Sequence, residues 1–445
     1  MVLVSVPMIV PSPNIARCSL SISGDSKLAK SKNRIPDMKA VSLIALALLS
    51  GTLAGCGGGS SPPPDNGPPP PAAGLATGPS TCTTGQAGDF SCSGIDLRKR
   101  VSLQSMNGTG GNDIWGWTDS TSGREYALMG LTNGTAFVDV TDPDVPVFLG
   151  NLPTQTTSSV WRDIKVYADH AFIVADSAGS HGMQVFDLTR LRGQTAPQEF
   201  TADAVYGDFA NAHNLAINEE TGFAYAVGTN TCGAGLHMID ISTPINPIFA
   251  GCHAAFDTHD TQCVSYVGPD LDHAGAEICV GSAEDRVEIV DVSIKGAPDT
   301  LSTLQYSQLG FVHQAWLTED HRYLLVGDEL DELDFGVPTR THVLDVSDLD
   351  APTYEFAYEA ATASIDHNVY VKGNRAYEAN YTSGLRVLEI GDLAIGELSE
   401  IAFFDTFPAD ETTTFNGAWS VYPFFASGTI IVSDVANGLF ILTLQ

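Results

Sequence analysis

Apolar residues in this chain come in short runs, each cut off by Gly, Asp, Asn or Pro, and their spacing is that of strands rather than helices. One run recurs: a strand ends on Asp, a Ser or Thr turn follows, and a proline often closes it. It reads Ala136-Phe137-Val138-Asp139-Val140-Thr141 with Pro146, and returns around Asp187, around Asp240 with Pro247, around Asp291 with Pro298 and around Asp345 with Pro352. A degenerate copy surrounds Glu389, and a last one, Leu439-Phe440-Ile441-Leu442-Thr443, ends the chain. Successive markers at 139, 187, 240, 291, 345, 389 and 442 lie 44 to 54 residues apart. Each unit also carries an inner strand opening on a polar pair (His213-Asn214), a second strand (Gly222 to Val227) and a fourth strand after the proline (Val147 to Gly150). Four short strands per unit at this period predict an all-β, seven-bladed β-propeller of four-stranded blades over 112–445. The seventh unit stops before its fourth strand, which leaves an open edge. Leu97 to Met106 can form a strand, so the N-terminal segment is expected to complete that blade and close the ring.

The head of the chain reads differently. Met38-Lys39 precede an apolar run from Ala40 to Leu49, ten residues long, where a bilayer span needs about 20. That is the pattern of a secretory signal over 38–55. Leu53-Ala54-Gly55-Cys56 resembles the bacterial lipoprotein cleavage box, which implies cleavage before Cys56 and acylation of that residue. Gly57, where Asp would signal inner-membrane retention, implies by the same resemblance the outer membrane or cell surface. Residues 1–37, with Pro11, Pro13 and a basic cluster from Lys27 to Arg34, do not fit a signal; translation is expected to start at Met38. Residues 56–81, rich in Gly, Ser and Pro, read as a tether, and 82–111 as a lead-in carrying a disulfide and the closing strand.

Charge supports this division. The whole chain holds 21 Lys+Arg against 53 Asp+Glu, a net −32. Residues 1–55 contain six basic and two acidic residues, so the part from Cys56 onward has 15 and 51, or −36. Such a head argues against nucleic acid as a partner and against docking on anionic lipid by charge, leaving the lipid anchor as its link to a membrane. Apart from Cys18 and Cys56, six cysteines remain. Fifteen connectivities are possible; the local one, Cys82 with Cys92, Cys232 with Cys252 and Cys263 with Cys279, is expected, and disulfides suit an exported chain.

The repeat resembles the LVIVD repeat, and 94–445 resembles the choice-of-anchor B family of bacterial surface proteins. The residues carrying this are Asn112-Asp113-Ile114-Trp115-Gly116-Trp117, Glu125-Tyr126-Ala127-Leu128, Gly134 to Asp139, Ala212-His213-Asn214 and Asp366-His367-Asn368. The resemblance implies a secreted, variably anchored propeller with no assigned catalytic residues.

Aligning the inner-strand openings gives one column that could carry chemistry: Asn112-Asp113, Arg162-Asp163, His213-Asn214, His259-Asp260, His313-Gln314, His367-Asn368 and Asn416-Gly417. Inner strands surround the axis, so His213, His259, His313 and His367 should converge near one mouth of the channel. Imidazole ligates zinc and other transition metals, and Asp113, Asp163 and Asp260 could join them as ligands or in acid–base work. The same pairs could instead only bond neighbouring blades together. The repeated Asp residues suit a turn-capping role. Calcium could be held by Asp142 and Asp144 or by the run Asp328 to Asp334, although the run reads more simply as a solvated acidic loop. Trp115, Trp117, Trp161, Trp316 and Trp419 read as core, or as an aromatic platform at the channel mouth. No G-x-S-x-G, H-E-x-x-H or phosphate loop occurs. The expectation is a binding or interaction propeller of the cell envelope for an extracellular protein or carbohydrate, without a certain cofactor but with room for a divalent cation, calcium or zinc. The alternative is a metal-dependent, hydrolase-like enzyme built on the histidines.

Overall fold

A computed structural model describes residues 74–445. The expected upstream segment 1–37, the signal 38–55, Cys56 and most of the tether lie outside the described residues. Seven sheets form the fold, antiparallel except that the short strand Gln198–Glu199 adds parallel to Val147–Pro153 in blade 1. Their inner strands are Gly111–Thr118, Arg162–Tyr167, Asn214–Asn218, Asp260–Ser265, Val312–Leu317, Asn368–Lys372 and Ala418–Tyr422. Each lies against the next, and the last lies against the first, so the chain is a closed seven-bladed propeller. Among the described residues the sole α-helix is Asp331–Phe335, and no helix is long and apolar enough to cross a membrane.

The recurring Asp has one job in five blades. Asp139, Asp187, Asp240, Asp291 and Asp345 each accept, through Oδ1, the backbone N–H two residues on, at 2.8–3.1 Å. The carboxylate thus satisfies an amide that the tight turn leaves without a strand partner. Just before it, the pairing of third and fourth strands slips by one residue, as at Met238/Ile239, Ile289/Val290 and Val343/Leu344. Such a bulge adds the twist that lets the outer edge splay from its neighbour.

Ring closure follows the expectation, with a shorter strand. Ile95–Val101 pairs antiparallel with Gly438–Leu444 as the outer strand of blade 7. The chain does not continue extended to Met106. Ser102 caps a 3-10 turn over Leu103–Met106, and Asn107 ends it at a φ of 59°. The N-terminal segment also does something the pattern did not announce. A hairpin of Gln86–Ala87 and Phe90–Ser93 adds to the outer strand of blade 6, Leu398–Phe404. Phe90 packs against Phe404 and Phe440 at centroid distances of 5.4 and 5.3 Å, so one short segment bolts blade 6 to blade 7. Residues 74–81, at the end of the expected tether, lie against this segment: Ser80 exchanges backbone hydrogen bonds with Leu97, and Arg100 donates to the carbonyls of Leu75 and Ala76.

All three local disulfides form: Cys82–Cys92, Cys232–Cys252 and Cys263–Cys279. The first ties the lead-in to the hairpin, and the third joins directly opposed residues of two strands in blade 4.

Candidate functional site

The inner-strand openings separate into two sets of side chains with different work. The first set links blades. Asp113 Oδ2 accepts the N–H of Ile164 at 3.1 Å, and Asp163 Oδ2 that of Leu215 at 2.7 Å. Gln262 and Gln314 do the same for Leu317 and Val369, while Asn214 donates to the carbonyl of His259. Each reaches one blade ahead, supplying a partner to backbone that the radial sheets leave unpaired between blades. Lys165 is buried among these acids, 2.6 Å from Asp163 and 3.9 Å from Asp113. Burial opposes its charge, but the two carboxylates outweigh that and hold the ammonium above its ordinary value. Asp260 accepts from Gln314 Nε2 and the Thr261 amide, and burial, against the pull of Lys165, raises its carboxyl to about 7. Asp113, Asp163 and Asp260 are therefore occupied by backbone, amide and ammonium partners.

The second set is aromatic and continuous. His213 and His259 lie 4.2 Å apart by ring centroid, His259 and His313 4.5 Å, and His313 and His367 4.1 Å. Trp161 extends the series beyond His213 at 6.4 Å, and Trp419 beyond His367 at 4.9 Å. Six rings from blades 2 to 7 thus form an arc around the channel mouth. It borders a small pocket lined by Trp161, Arg162, His213, Asn214, His313, His367, Asn368 and Trp419, and also by the blade-linking Asp113. The column alignment placed the histidines here but not the two tryptophans, which sit one residue before Arg162 and three after Asn416. The remaining tryptophans are elsewhere. Trp117 is core, while Trp115 and Trp316 pack around Tyr370 and Phe424.

The arc has defined tautomers. His313 Nδ1 faces the carbonyl of His367 at 3.0 Å, and His367 Nδ1 faces that of Trp419 at 2.5 Å. A carbonyl can only accept, so both Nδ1 atoms carry the proton and both Nε2 atoms keep a lone pair. His213 Nδ1 faces Asp176 Oδ2 at 3.1 Å, which orients it likewise. The Nε2 of His259 is buried and meets no hydrogen-bond partner among the described residues. Burial, reinforced by neighbouring imidazoles, pushes His259 and His313 well below their ordinary value and His367 down to about 3. These three rings are neutral at physiological pH.

A carboxylate from the acidic run 328–334 completes the arrangement. Glu329 Oε1 lies 3.8 Å from His367 Nε2 and accepts the hydroxyl of Tyr381 at 3.0 Å. Ligand atoms of His313, Glu329 and His367 all fall within 4.8 Å of one another. Two ligands on a tetrahedral zinc at about 2.1 Å lie about 3.4 Å apart, so this trio is of the right scale for one ion. Burial raises the Glu329 carboxyl to about 7, against the Tyr381 hydrogen bond. Only the strand end preceding it, Tyr323–Asp328, hinted that Glu329 sits at the mouth.

Two other expectations change. Asp144 is held by Arg98 through both oxygens at 2.8 and 2.6 Å, so the Asp142–Asp144 turn ties blade 1 to the closing strand instead of offering a calcium site. The run from Asp328 is not a solvated loop: Asp328, Asp331 and Glu332 are buried, because the helix Asp331–Phe335 folds the segment inward.

No known protein family matches this sequence, and no curated protein does. Solved structures share its architecture. The β-propeller domain of Cps50 (Swd1) from Myceliophteria thermophila superposes with a TM-score of 0.51 at 11% identity, over 79% of this chain and 100% of that one. A Lactobacillus plantarum protein gives 0.47 at 16%, over 73% and 88%. The periplasmic gluconolactonase of Pseudomonas aeruginosa gives 0.45 at 13%, over 64% and 83%. At 11% identity the likeness to the Cps50 propeller is one of fold.

Proposed function

We propose that this chain is a lipid-anchored protein of the bacterial cell envelope whose propeller is a binding head, with its ligand seat at the imidazole arc. The observation that carries the seat is the pinning of Nδ1 on His313 and His367 by backbone carbonyls, which leaves both Nε2 lone pairs free, that of His367 3.8 Å from Glu329 Oε1. Oriented, neutral imidazoles with a carboxylate suit a zinc-class ion. Such an ion would leave a coordination position facing the pocket, for a side chain of an extracellular protein or a carbohydrate hydroxyl. The three disulfides and the strongly acidic head support export, and Cys56 supplies the anchor. The relation to the choice-of-anchor B family and its LVIVD repeat belongs to the same reading.

A metal-dependent hydrolase is the second reading. It is favoured by Glu329, a partly buried carboxyl 3.8 Å from His367 Nε2, which would act as a general base instead of a ligand if the histidines held a zinc-class ion. Metal analysis of the purified chain tests the seat. Stoichiometric zinc, lost in His313→Ala and His367→Ala, supports it, and absence of metal after zinc loading removes both readings of the mouth. Zinc without turnover on ester, lactone and phosphoester panels favours the binding head. Palmitate labelling lost in Cys56→Ala tests the anchor.

A further inference from the structure

A second group of acids lies at the joint of blades 5 and 6, next to the mouth set in sequence: Asp328 precedes Glu329 and Asp366 precedes His367. Asp328 ends the strand Tyr323–Asp328, Asp331 and Glu332 open the short helix, and Asp366 precedes the inner strand of blade 6. Their exposures are 0%, 0%, 4% and 5%. Several of their oxygens are accounted for. Asp328 accepts from the amides of Gly310 and Phe311 and from the Tyr306 hydroxyl. Asp331 Oδ2 takes Arg340 Nε at 2.8 Å and Nη2 at 2.6 Å, with His342 Nε2 at 3.4 Å. Asp366 Oδ2 accepts the Asp328 N–H at 2.8 Å.

Four oxygens are left over. Asp331 Oδ1, Asp366 Oδ1 and both oxygens of Glu332 are buried and meet no hydrogen-bond partner among the described residues. One oxygen from each of Asp331, Glu332 and Asp366 lies within 4.8 Å of the others. Arg340 is the one cationic side chain ion-paired to the four acids among the described residues, and it is committed to Asp331. Burying carboxylates without compensation costs several kcal/mol apiece, so this convergence either shares protons or holds a cation at its centre. The backbone is shaped to permit it. A Cβ on Gly327 would stand 2.4 Å from Asp366 Oδ2, so a larger residue there would displace that carboxylate.

We propose that Asp331, Glu332 and Asp366 form a calcium site that joins blade 5 to blade 6. The unpartnered donors are all carboxylate oxygens, which select a hard cation over zinc. Glu332 offers both oxygens, matching the bidentate ligand and flexible geometry that calcium accepts and magnesium resists. The ion compensates three carboxylates and fixes the segment between the second strand of blade 5 and its helix. The site shares no ligand residue with the seat proposed at the mouth.

The test uses the full mature chain, stripped with EGTA and titrated with calcium, magnesium or zinc chloride near neutral pH, by calorimetry and thermal melting. Expected are saturable single-site calcium binding, a rise in Tm, a weaker magnesium response, and a loss of calcium affinity of about tenfold or more in Glu332→Gln and in Asp366→Asn. His313→Ala and His367→Ala keep the calcium response, which separates this site from the zinc seat. Two results overturn the proposal: no calcium response in the wild-type chain, where a higher Tm in Glu332→Gln would show the acids sharing protons; or an unaltered response in both variants, which places calcium elsewhere. Should one variant fail to fold, the other carries the comparison.

Discussion

His313 donates its Nδ1 proton to the backbone carbonyl of His367 at 3.0 Å while the two rings stand 4.1 Å apart. One contact thus links blade 5 to blade 6 and frees a nitrogen for ligation. The two roles can be pulled apart. Replacing His313 by Asn keeps a side-chain N–H that can reach the carbonyl, while the imidazole nitrogen is lost. His313→Asn is expected to melt close to the wild type yet fail to retain zinc, and His313→Ala to lose both. Zinc content and Tm measured on the same preparations check this; unchanged zinc in His313→Asn would show that the ring serves only packing.

The buried Lys165 depends on its acids. Asp163 gives it a 2.6 Å contact and also holds the Leu215 amide. Asp163→Ala leaves an ammonium under-compensated in the channel wall and an amide without its acceptor, at an expected cost of about 3–5 kcal/mol. Adding Lys165→Met should recover a large part of that loss. Denaturant unfolding of the single and double variants measures the coupling, and additive losses would mean that the pair does not act as a unit.

Closure rests on Ile95–Val101. Leu97 is fully buried between blades 6 and 7, so Leu97→Ala is expected to cost about 3 kcal/mol. Removing residues up to 102 should cost more, because it exposes the whole edge of Gly438–Leu444. Melting curves and hydrogen exchange on that strand report it. An unchanged Tm after truncation would mean the ring holds without its clasp.

Glu288 gives a pH signature in blade 4. Burial raises its carboxyl from 4.5 to about 7, against a hydrogen bond from Thr258, and its Oε2 is unpartnered. A folded-state value above the unfolded one means that the native chain holds the proton longer. The cost of charging Glu288 is therefore present above pH 7 and vanishes as pH falls toward 4.5. Glu288→Gln should approach the wild type near pH 4 and exceed it near pH 8 by up to about 3 kcal/mol. Urea titrations at the two pH values decide; equal differences at both would locate the effect in packing.

Much of the fold was legible because a propeller repeats local information. The Asp turns, the strand lengths and the unpaired last strand are each written within one unit, and cysteines close in sequence met as expected. The hairpin on blade 6 was not legible, since Phe90–Ser93 finds its partner at Phe404, across the whole ring. At the site, the histidine column was readable as a period, but its chemistry was not. Which of His213-Asn214 or His259-Asp260 would staple and which would stack depends on the alternation of faces at the start of each strand. Trp161 and Trp419 escaped the column because the repeat shifts by a residue or more where blades differ in length.

The sequence by itself determined an all-β ring of seven units, its closing segment and its disulfides, because strand periodicity, turn chemistry and the spacing of repeats are short-range properties. The tertiary structure alone decided which polar groups would be compensated. Glu329 meets His367 from 38 positions away and Glu332 meets Asp366 from 34, each across a blade joint, and the buried acids of the segment 328–332 read as solvated until the helix turned them inward. Burial and charge compensation depend on where distant strands pack, and no local pattern encodes that.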